Sequence, residues 1–317
     1  MPGCYLVVHR VSYGYVKLIS DYVFAQLRAH ASRECRLLVL EDLDEAPFEE
    51  GAVVYVVGEP FAPFGRRPGC HYVYLNFSVL YLLGGLLGHS WAGYRHIRGK
   101  RRMFEAKLPS LDQVLDYYPA HTAAMRRHLR LPVRSFPVCV DPADLPPPAA
   151  PEAREYDVCV VGTETERRRE LNEALRGRGH RLSPTRGVVF EEVAARSKVV
   201  LNAHAVRSSH MEVPRIVSTL LSGAALVTEH CYGMEAEIPP GLYAAGTLAE
   251  LPDLVEGLLA DADRRARMAA EAGRWMRAVY VPRCAEEWGR IVRDVEAAAA
   301  AARGEGEETL VALRRRA

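Results

Sequence analysis

At 317 residues, 49% of them apolar and 26% charged, the chain is long enough for two cores and has the balance of a globular protein. Its formal net charge of +1 supplies no broad basic field, which argues against a specific nucleic-acid partner or an anionic membrane as ligand. The seven cysteines (Cys4, Cys35, Cys70, Cys139, Cys159, Cys231 and Cys284) form no C-x-x-C pair, and the N-terminus shows no basic leader, so a reducing, cytoplasmic setting is expected.

Along the first half, short apolar runs alternate with helical patterns. Residues 5–9 read as a strand, 10–15 as a loop and 16–29 as an amphipathic helix. Residues 36–40, 53–57 and 72–75 are further strands of the continuously apolar kind found when both faces of a sheet are covered. Residues 68–94 contain no Asp, Glu, Lys or Arg, and 80–87 are strongly apolar. Asn76, Ser78, glycines and two histidines interrupt them, so a strand and a buried helix start fit better than a span of roughly 20 apolar residues. Membrane association is expected to be peripheral at most. A basic helix near 95–108, a strand at 114–118, a short helix at 120–129 and a strand at 133–140 complete an N-terminal domain, 1–141.

Five prolines at 142–151 can continue neither a helix nor a central strand, so 142–155 reads as a linker. The second half restarts the alternation. A strand at 156–161 runs into Gly162-Thr163, followed by helices at 166–178 and 188–197, a strand at 199–201, a helix at 214–222 and a strand at 225–228. Helices at 251–259 and 263–279 close a second domain, 156–282. A terminal helix is expected at 283–303 and a frayed tail at 304–317. This order predicts an α/β protein with two Rossmann-like parallel-sheet domains facing a cleft, its ligands at the carboxyl ends of the strands.

Two segments carry chemistry by their residue types. Gly162-Thr163 precedes a helix opening with Arg167-Arg168-Arg169. A helix N-terminus offers free N–H groups, glycine permits close approach, and arginine can clamp phosphate oxygens. The turn is not a G-x-G-x-x-G fingerprint, and a plain strand-to-helix turn with a solvated arginine run would read the same. The second segment, 198–229, carries a strand ending in Asn202-Ala203-His204 and a polar loop with Arg207, Ser208, Ser209, His210 and Glu212. A helix then starts at Pro214, with Arg215 and Ser218 in its first turns. A loop this dense in hydrogen-bonding groups, between a buried strand and a helix start, suits a polar ligand better than a bare surface turn.

The residues Ser-Lys-Val-Val-Leu-Asn-Ala-His at 197–204 and Arg-Ile-Val-Ser-Thr-Leu-Leu-Ser-Gly at 215–223 resemble the C-terminal domain of GT-B-fold glycosyltransferases, notably the CgeB-type spore-protein group. The resemblance covers roughly 113–288. It implies a GT-B-like fold and a glycosyltransferase that moves a sugar from a nucleoside-diphosphate co-substrate to an unknown acceptor (small molecule, glycan or protein), with no metal or other cofactor. The diphosphate would lie near Gly162, Thr163, Arg167 and the helix from Pro214. The base and ribose would lie near Asn202, His204, His210, Glu212, Arg215, Ser218 and Thr219. One departure stands out: where many members place an acid on the ribose, this chain has Ser218, and a related acidic position is His210. That leaves open altered donor choice, altered geometry, or a non-catalytic binding or structural protein on the same fold; an epimerase or hydrolase is a weaker alternative. In inverting enzymes of this fold the acceptor's base comes from the N-terminal domain, which points to His9 at a strand end. Asp21 and His121 are alternatives, and Tyr13, Gly14, Asn76 and His121 are acceptor-side candidates. The D-x-D at Asp42–Asp44 lies in an acidic loop and is not read as a metal site.

Overall fold

The computed structural model describes residues 2–81, 91–160 and 162–304. The apolar run at 82–87, the strand end at Val161 and the tail beyond Gly304 lie outside these residues.

The chain divides into two compact units. The first takes in the residues up to Tyr81, Ile97–Pro137, and the chain from Arg283 onward. Its sheet comprises β1 (Cys4–His9), β2 (Cys35–Leu40), β3 (Val53–Val57), β4 (His71–Asn76), β5 (Gln113–Asp116) and β6 (Val133–Ser135). All pairs are parallel, in the order β2-β1-β3-β4-β5-β6. Every residue of β1, β3 and β4 is buried, the pattern their unbroken apolar runs demand of strands covered on both faces. Helix α1 (Arg10–His30) follows β1, α2 (Trp91–Glu105) follows β4, and α3 (Pro119–Arg126) links β5 to β6.

Residues 10–15, expected as a loop, form the first turns of α1. The His9 ring caps the helix by accepting the Val11 N–H at its Nδ1, 3.2 Å away, and Val16 (φ −120°, ψ 21°) kinks it where the expected helix began. β6 is shorter than its apolar run because Pro137 has no N–H to give the ladder.

In the second unit β7 (Tyr156–Cys159), β8 (Ser197–Asn202), β9 (Ala225–Glu229) and β10 (Ala244–Gly246) form a parallel sheet in the order β10-β9-β8-β7. Its helices are α4 (Glu166–Gly177), α5 (Phe190–Ala195), α6 (Val213–Leu221), α7 (Met234–Glu237), α8 (Leu251–Ala260) and α9 (Ala262–Trp275). β8 feeds both faces: Val199 and Leu201 pack with Leu171, Leu175, Val255 and Leu258, while Val200 packs with Cys159, Val193 and Ala194. One π turn, Met276–Tyr280, joins α9 to α10 (Val281–Ala302).

From Arg283 onward α10 packs within the first unit. Trp288, fully buried, donates its indole N–H to the Pro137 carbonyl at 3.2 Å and lies 5.5 Å from the Phe136 ring. Glu287 pairs with Arg134 at 2.7 Å, and Glu296 accepts from Ser32. No helix among the described residues is long and apolar enough to cross a membrane.

Candidate functional site

The second unit gathers its polar side chains where β7, β8 and β9 end. Gly162 leaves β7 with φ +129°, a conformation L side chains rarely adopt, and a Cβ there would lie 2.6 Å from Arg168 Nη1 and 3.1 Å from Arg215 Nη2. Arg168, on the first turn of α4 and 4% exposed, donates through Nε and Nη2 to the Ala203 carbonyl (2.9 and 2.6 Å) and through Nη1 to the Thr163 carbonyl (2.9 Å). Burial first, then Arg215, lowers its pKa, although a guanidinium stays charged at neutral pH.

Arg215, on the first turn of α6, donates to Asn202 Oδ1 at 2.9 Å and pairs with Glu212, the residue that leads into the helix. Arg167 pairs with Glu229 at 2.5 Å, and the second Glu229 oxygen accepts the His204 backbone N–H at 2.6 Å. Three guanidinium groups thus face two carboxylates, leaving excess positive charge beside the N-termini of α4 and α6. That is the electrostatic setting a diphosphate requires.

The other donor-side candidates divide by what they hold. Asn202 is fully buried and also donates to Thr228 Oγ1 at 3.0 Å. The His204 ring is buried, with Nδ1 2.7 Å from the Ser208 carbonyl and Nε2 3.6 Å from Cys231 Sγ. Burial pushes the Cys231 thiol up to about 12, so it stays protonated. The His210 ring is buried and its backbone N–H donates to Ser208 Oγ at 3.1 Å. Pro214 lies in the first turn of α6, and Thr219 spends its hydroxyl on the Arg215 carbonyl at 2.7 Å. Ser218 Oγ donates to Glu191 Oε1 on α5, 3.3 Å away.

In the first unit the polar groups likewise collect at strand ends. His9 is 8% exposed, and its ring meets Phe61 edge-on at 4.9 Å. Gly58 (φ +142°) allows that packing, since a Cβ there would lie 2.6 Å from His9 Cβ. Burial lowers the His9 pKa, and the Val11 N–H on Nδ1 leaves the proton of the neutral ring on Nε2. Beyond β3, Glu59 accepts from Ser78 Oγ at 2.5 Å and pairs with Lys100 at 3.0 Å. Lys107, fully buried, donates to the carbonyls of Glu59 (2.9 Å) and Met103 (3.2 Å), and burial lowers its pKa.

Asn76 and His121 are both fully buried in one network. Asp116 accepts from Asn76 at 2.7 Å and from Thr122 at 3.0 Å and meets His121 Nδ1 at 3.0 Å, while His121 Nε2 accepts the Leu80 and Tyr81 N–H groups at 3.0 Å each. These two candidates tie strand ends to the following loop and offer no open face to a ligand. Tyr13 donates to Asp21 at 3.1 Å, and Asp21 also pairs with Lys17 at 2.6 Å. Gly14 sits inside α1 with open space where a Cβ would go, so no close approach depends on it. Among the described residues no three His, Cys, Asp or Glu side chains gather as a metal-binding group.

No protein-family model matches this sequence, and no curated protein does. Solved structures do match in shape. TarM superposes with a TM-score of 0.55 at 9% identity over 77% of this chain, which spans 55% of TarM's length. Sucrose-phosphate synthase from Thermosynechococcus elongatus gives 0.60 at 12% identity, over 93% of this chain and 100% of the other. Anabaena Alr3699/HepE, solved with UDP and glucose, gives 0.58 at 11% identity, over 86% and 94% of the two chains. The fold is GT-B-like. This GT-B-like frame has two parallel sheets, as the alternating sequence pattern implies.

Several residues of the GT-B-like chain escaped the sequence reading. Arg168, rather than Arg167, is the arginine locked against Gly162. The signal was present, since Arg168, Leu171, Asn172 and Leu175 form the buried stripe of α4. Glu59, Lys107 and Glu191 carry no such signal, because each acquires its partner from a distant segment.

Proposed function

We propose that the protein is a glycosyltransferase that takes a sugar from a nucleoside diphosphate, binds this donor in the second unit, and transfers it to an acceptor held by the first. The observation that carries this reading is the pair Arg168 and Arg215 packed against Gly162, with Arg167 paired to Glu229, beside two helix N-termini. Such an array stabilises the charge that grows on a departing diphosphate without needing a metal. The CgeB-type sequence pattern at 197–223 supports the same assignment, and UDP in the HepE structure makes a uridine nucleotide the first donor to test.

In this reading Arg215 and the N-termini of α4 and α6 hold the diphosphate. Arg168 braces Gly162 and the Ala203 carbonyl. The ribose lies over Ser218, where Glu191 on α5 supplies the carboxylate that α6 lacks. That contact favours a working donor site over a binding-only protein. On the first unit, Glu59, Ser78 and Lys100 beside His9 form a polar surface suited to acceptor hydroxyls. Thermal shifts with UDP, GDP, dTDP, CDP and ADP test the donor site. One nucleotide should raise Tm in the wild type and lose that effect in Arg215→Ala; no shift with any of the five refutes the assignment.

A further inference from the structure

We propose that Cys4 and Cys35 form a redox modification site in the first unit, where a hydroperoxide converts the two thiols into a disulfide that pins strand β2 to β1. The site goes beyond glycosyl transfer and does not rest on it. Each cysteine is the first residue of its strand, whereas His9 is the last of β1. β1 and β2 run parallel, and Cys4 lies directly opposite Cys35 in their register. Residues paired in this way point to the same face of a sheet. Neighbouring strands lie about 4.8 Å apart, within the roughly 4.4–6.8 Å that separates the Cα atoms of a disulfide. The bond therefore asks for little movement of the backbone.

The two sulfurs are unequal. Cys4 is 2% exposed, while Cys35 is only half-buried and its Sγ lies 3.5 Å from the Arg33 carbonyl. The hydrogen bond between the thiols raises the pKa of Cys4 and lowers that of Cys35, so Cys35 is the first of the two to become a thiolate. Arg28 adds to the lowering, against burial, Glu296 on α10 and Glu34. Burial drives other thiols the opposite way: Cys70 is raised, Cys159 is pushed up to about 11 and Cys231 to about 12. Thiolate character and access decide which cysteine a peroxide reaches, and both select Cys35 over these three.

The chemistry takes two steps. The Cys35 thiolate attacks one peroxide oxygen, the O–O bond breaks, and Cys35 becomes a sulfenic acid as hydroxide leaves. The Cys4 sulfur then attacks the Cys35 sulfur, the S–O bond breaks and the S–S bond forms. The Cys4 proton leaves with the departing hydroxyl as water. With hydrogen peroxide the sum is two thiols and one peroxide giving one disulfide and two waters, and a dithiol reverses it. β2 is an edge strand paired with β1 alone, and most of its residues are half-buried, while every residue of β1 is buried. The disulfide closes a ring through α1 and constrains the unfolded chain, which holds this edge in place.

Stoichiometric hydrogen peroxide added to the reduced full chain, followed by denaturation in N-ethylmaleimide and peptide mass mapping, tests the site. Two of the seven thiols should be lost, with the Cys4 and Cys35 peptides joined within one chain and freed again by dithiothreitol. The oxidised chain should melt at a higher temperature than the reduced one. Cys35→Ala should leave Cys4 as a free thiol at the same dose and remove the rise in Tm. Cys4→Ala should stop at the first step, with the Cys35 sulfenic acid trapped by dimedone. The proposal is overturned if Cys4 and Cys35 stay reduced, if Cys70, Cys159 or Cys231 is oxidised first, or if the linked peptides join two chains. It is equally overturned if Cys4 is lost as readily in Cys35→Ala, or if the disulfide forms without raising Tm.

Discussion

Ser218 Oγ donates to Glu191 Oε1 at 3.3 Å, so helix α6, which carries no acid at this turn, has one delivered beside it by α5. Glu191 precedes Ser218 by 27 residues, and only the packing of α5 beside α6 brings the two together. If the pair holds the donor ribose, Glu191→Gln keeps the shape and removes the charged acceptor. A hydrogen bond to a charged group lost in this way should raise the donor KM about tenfold with little change in kcat. Steady-state kinetics with the donor varied measures this, and an unchanged KM would leave Glu191 a purely structural neighbour of Ser218.

Gly162 and Arg168 give a second test. The atom a Cβ would strike, Arg168 Nη1, is the end of a long side chain, but hydrogen bonds to Thr163 and Ala203 hold it. The glycine also sits at φ +129°, where an alanine is strained whatever the space. Gly162→Ala should therefore cost about 1–3 kcal/mol of stability, seen as a lower Tm. It should also weaken nucleotide binding, because the displaced guanidinium no longer supports the turn. Gly14→Ala, with open space around it inside α1, is the matched control and should raise Tm slightly.

What could be read in advance follows from how local each cause is. The continuous apolar run at 53–57 has one physical outcome, a strand buried on both faces, and β3 is that strand. Residues 10–15 could not be placed from their own composition, because the cap that makes them helical is the ring of His9. Asn76 and His121 have the residue types of a ligand site, but the strands bury them around Asp116, a result that depends on the register of β4 against β5. The glutamate that braces Arg167 lies 62 residues along the chain, beyond the reach of any spacing rule. Buried strands and the polar residues after them were therefore legible, and the partners of each polar group were not.

Trp288 tests how α10 belongs to the first unit. The side chain is fully buried, lies tilted against the Phe136 ring, and donates its indole N–H to the Pro137 carbonyl. Trp288→Ala should cost about 3–5 kcal/mol, since it opens a large cavity as well as removing the hydrogen bond. Trp288→Phe fills most of the space and should lose about 1 kcal/mol, chiefly the indole N–H bond. Denaturant unfolding of the two variants separates packing from the hydrogen bond. Equal losses would mean that the cavity collapses and the bond to Pro137 dominates.

His9 has two possible duties, and they pull on different nitrogens. As the cap of α1 it accepts the Val11 N–H at Nδ1, which leaves Nε2 protonated and able only to donate. As a base it would need a free lone pair on the atom that meets the acceptor hydroxyl, so the cap must loosen or the ring must turn during transfer. His9→Asn separates the duties, because asparagine is itself a good N-cap but does not titrate in this range. With burial the chief cause, the folded pKa lies below the ordinary 6.5, so unfolded chains bind a proton there that folded ones refuse. His9 therefore makes stability fall as pH drops from about 6.5 through its folded pKa, and His9→Asn should flatten that stretch of the Tm–pH curve. If His9 is also the base, the same variant should lower kcat by about 10²–10⁴ and remove the acidic limb of the pH–rate profile. If the cap is its only duty, the rate and its acidic limb should both survive while the Tm–pH curve still flattens.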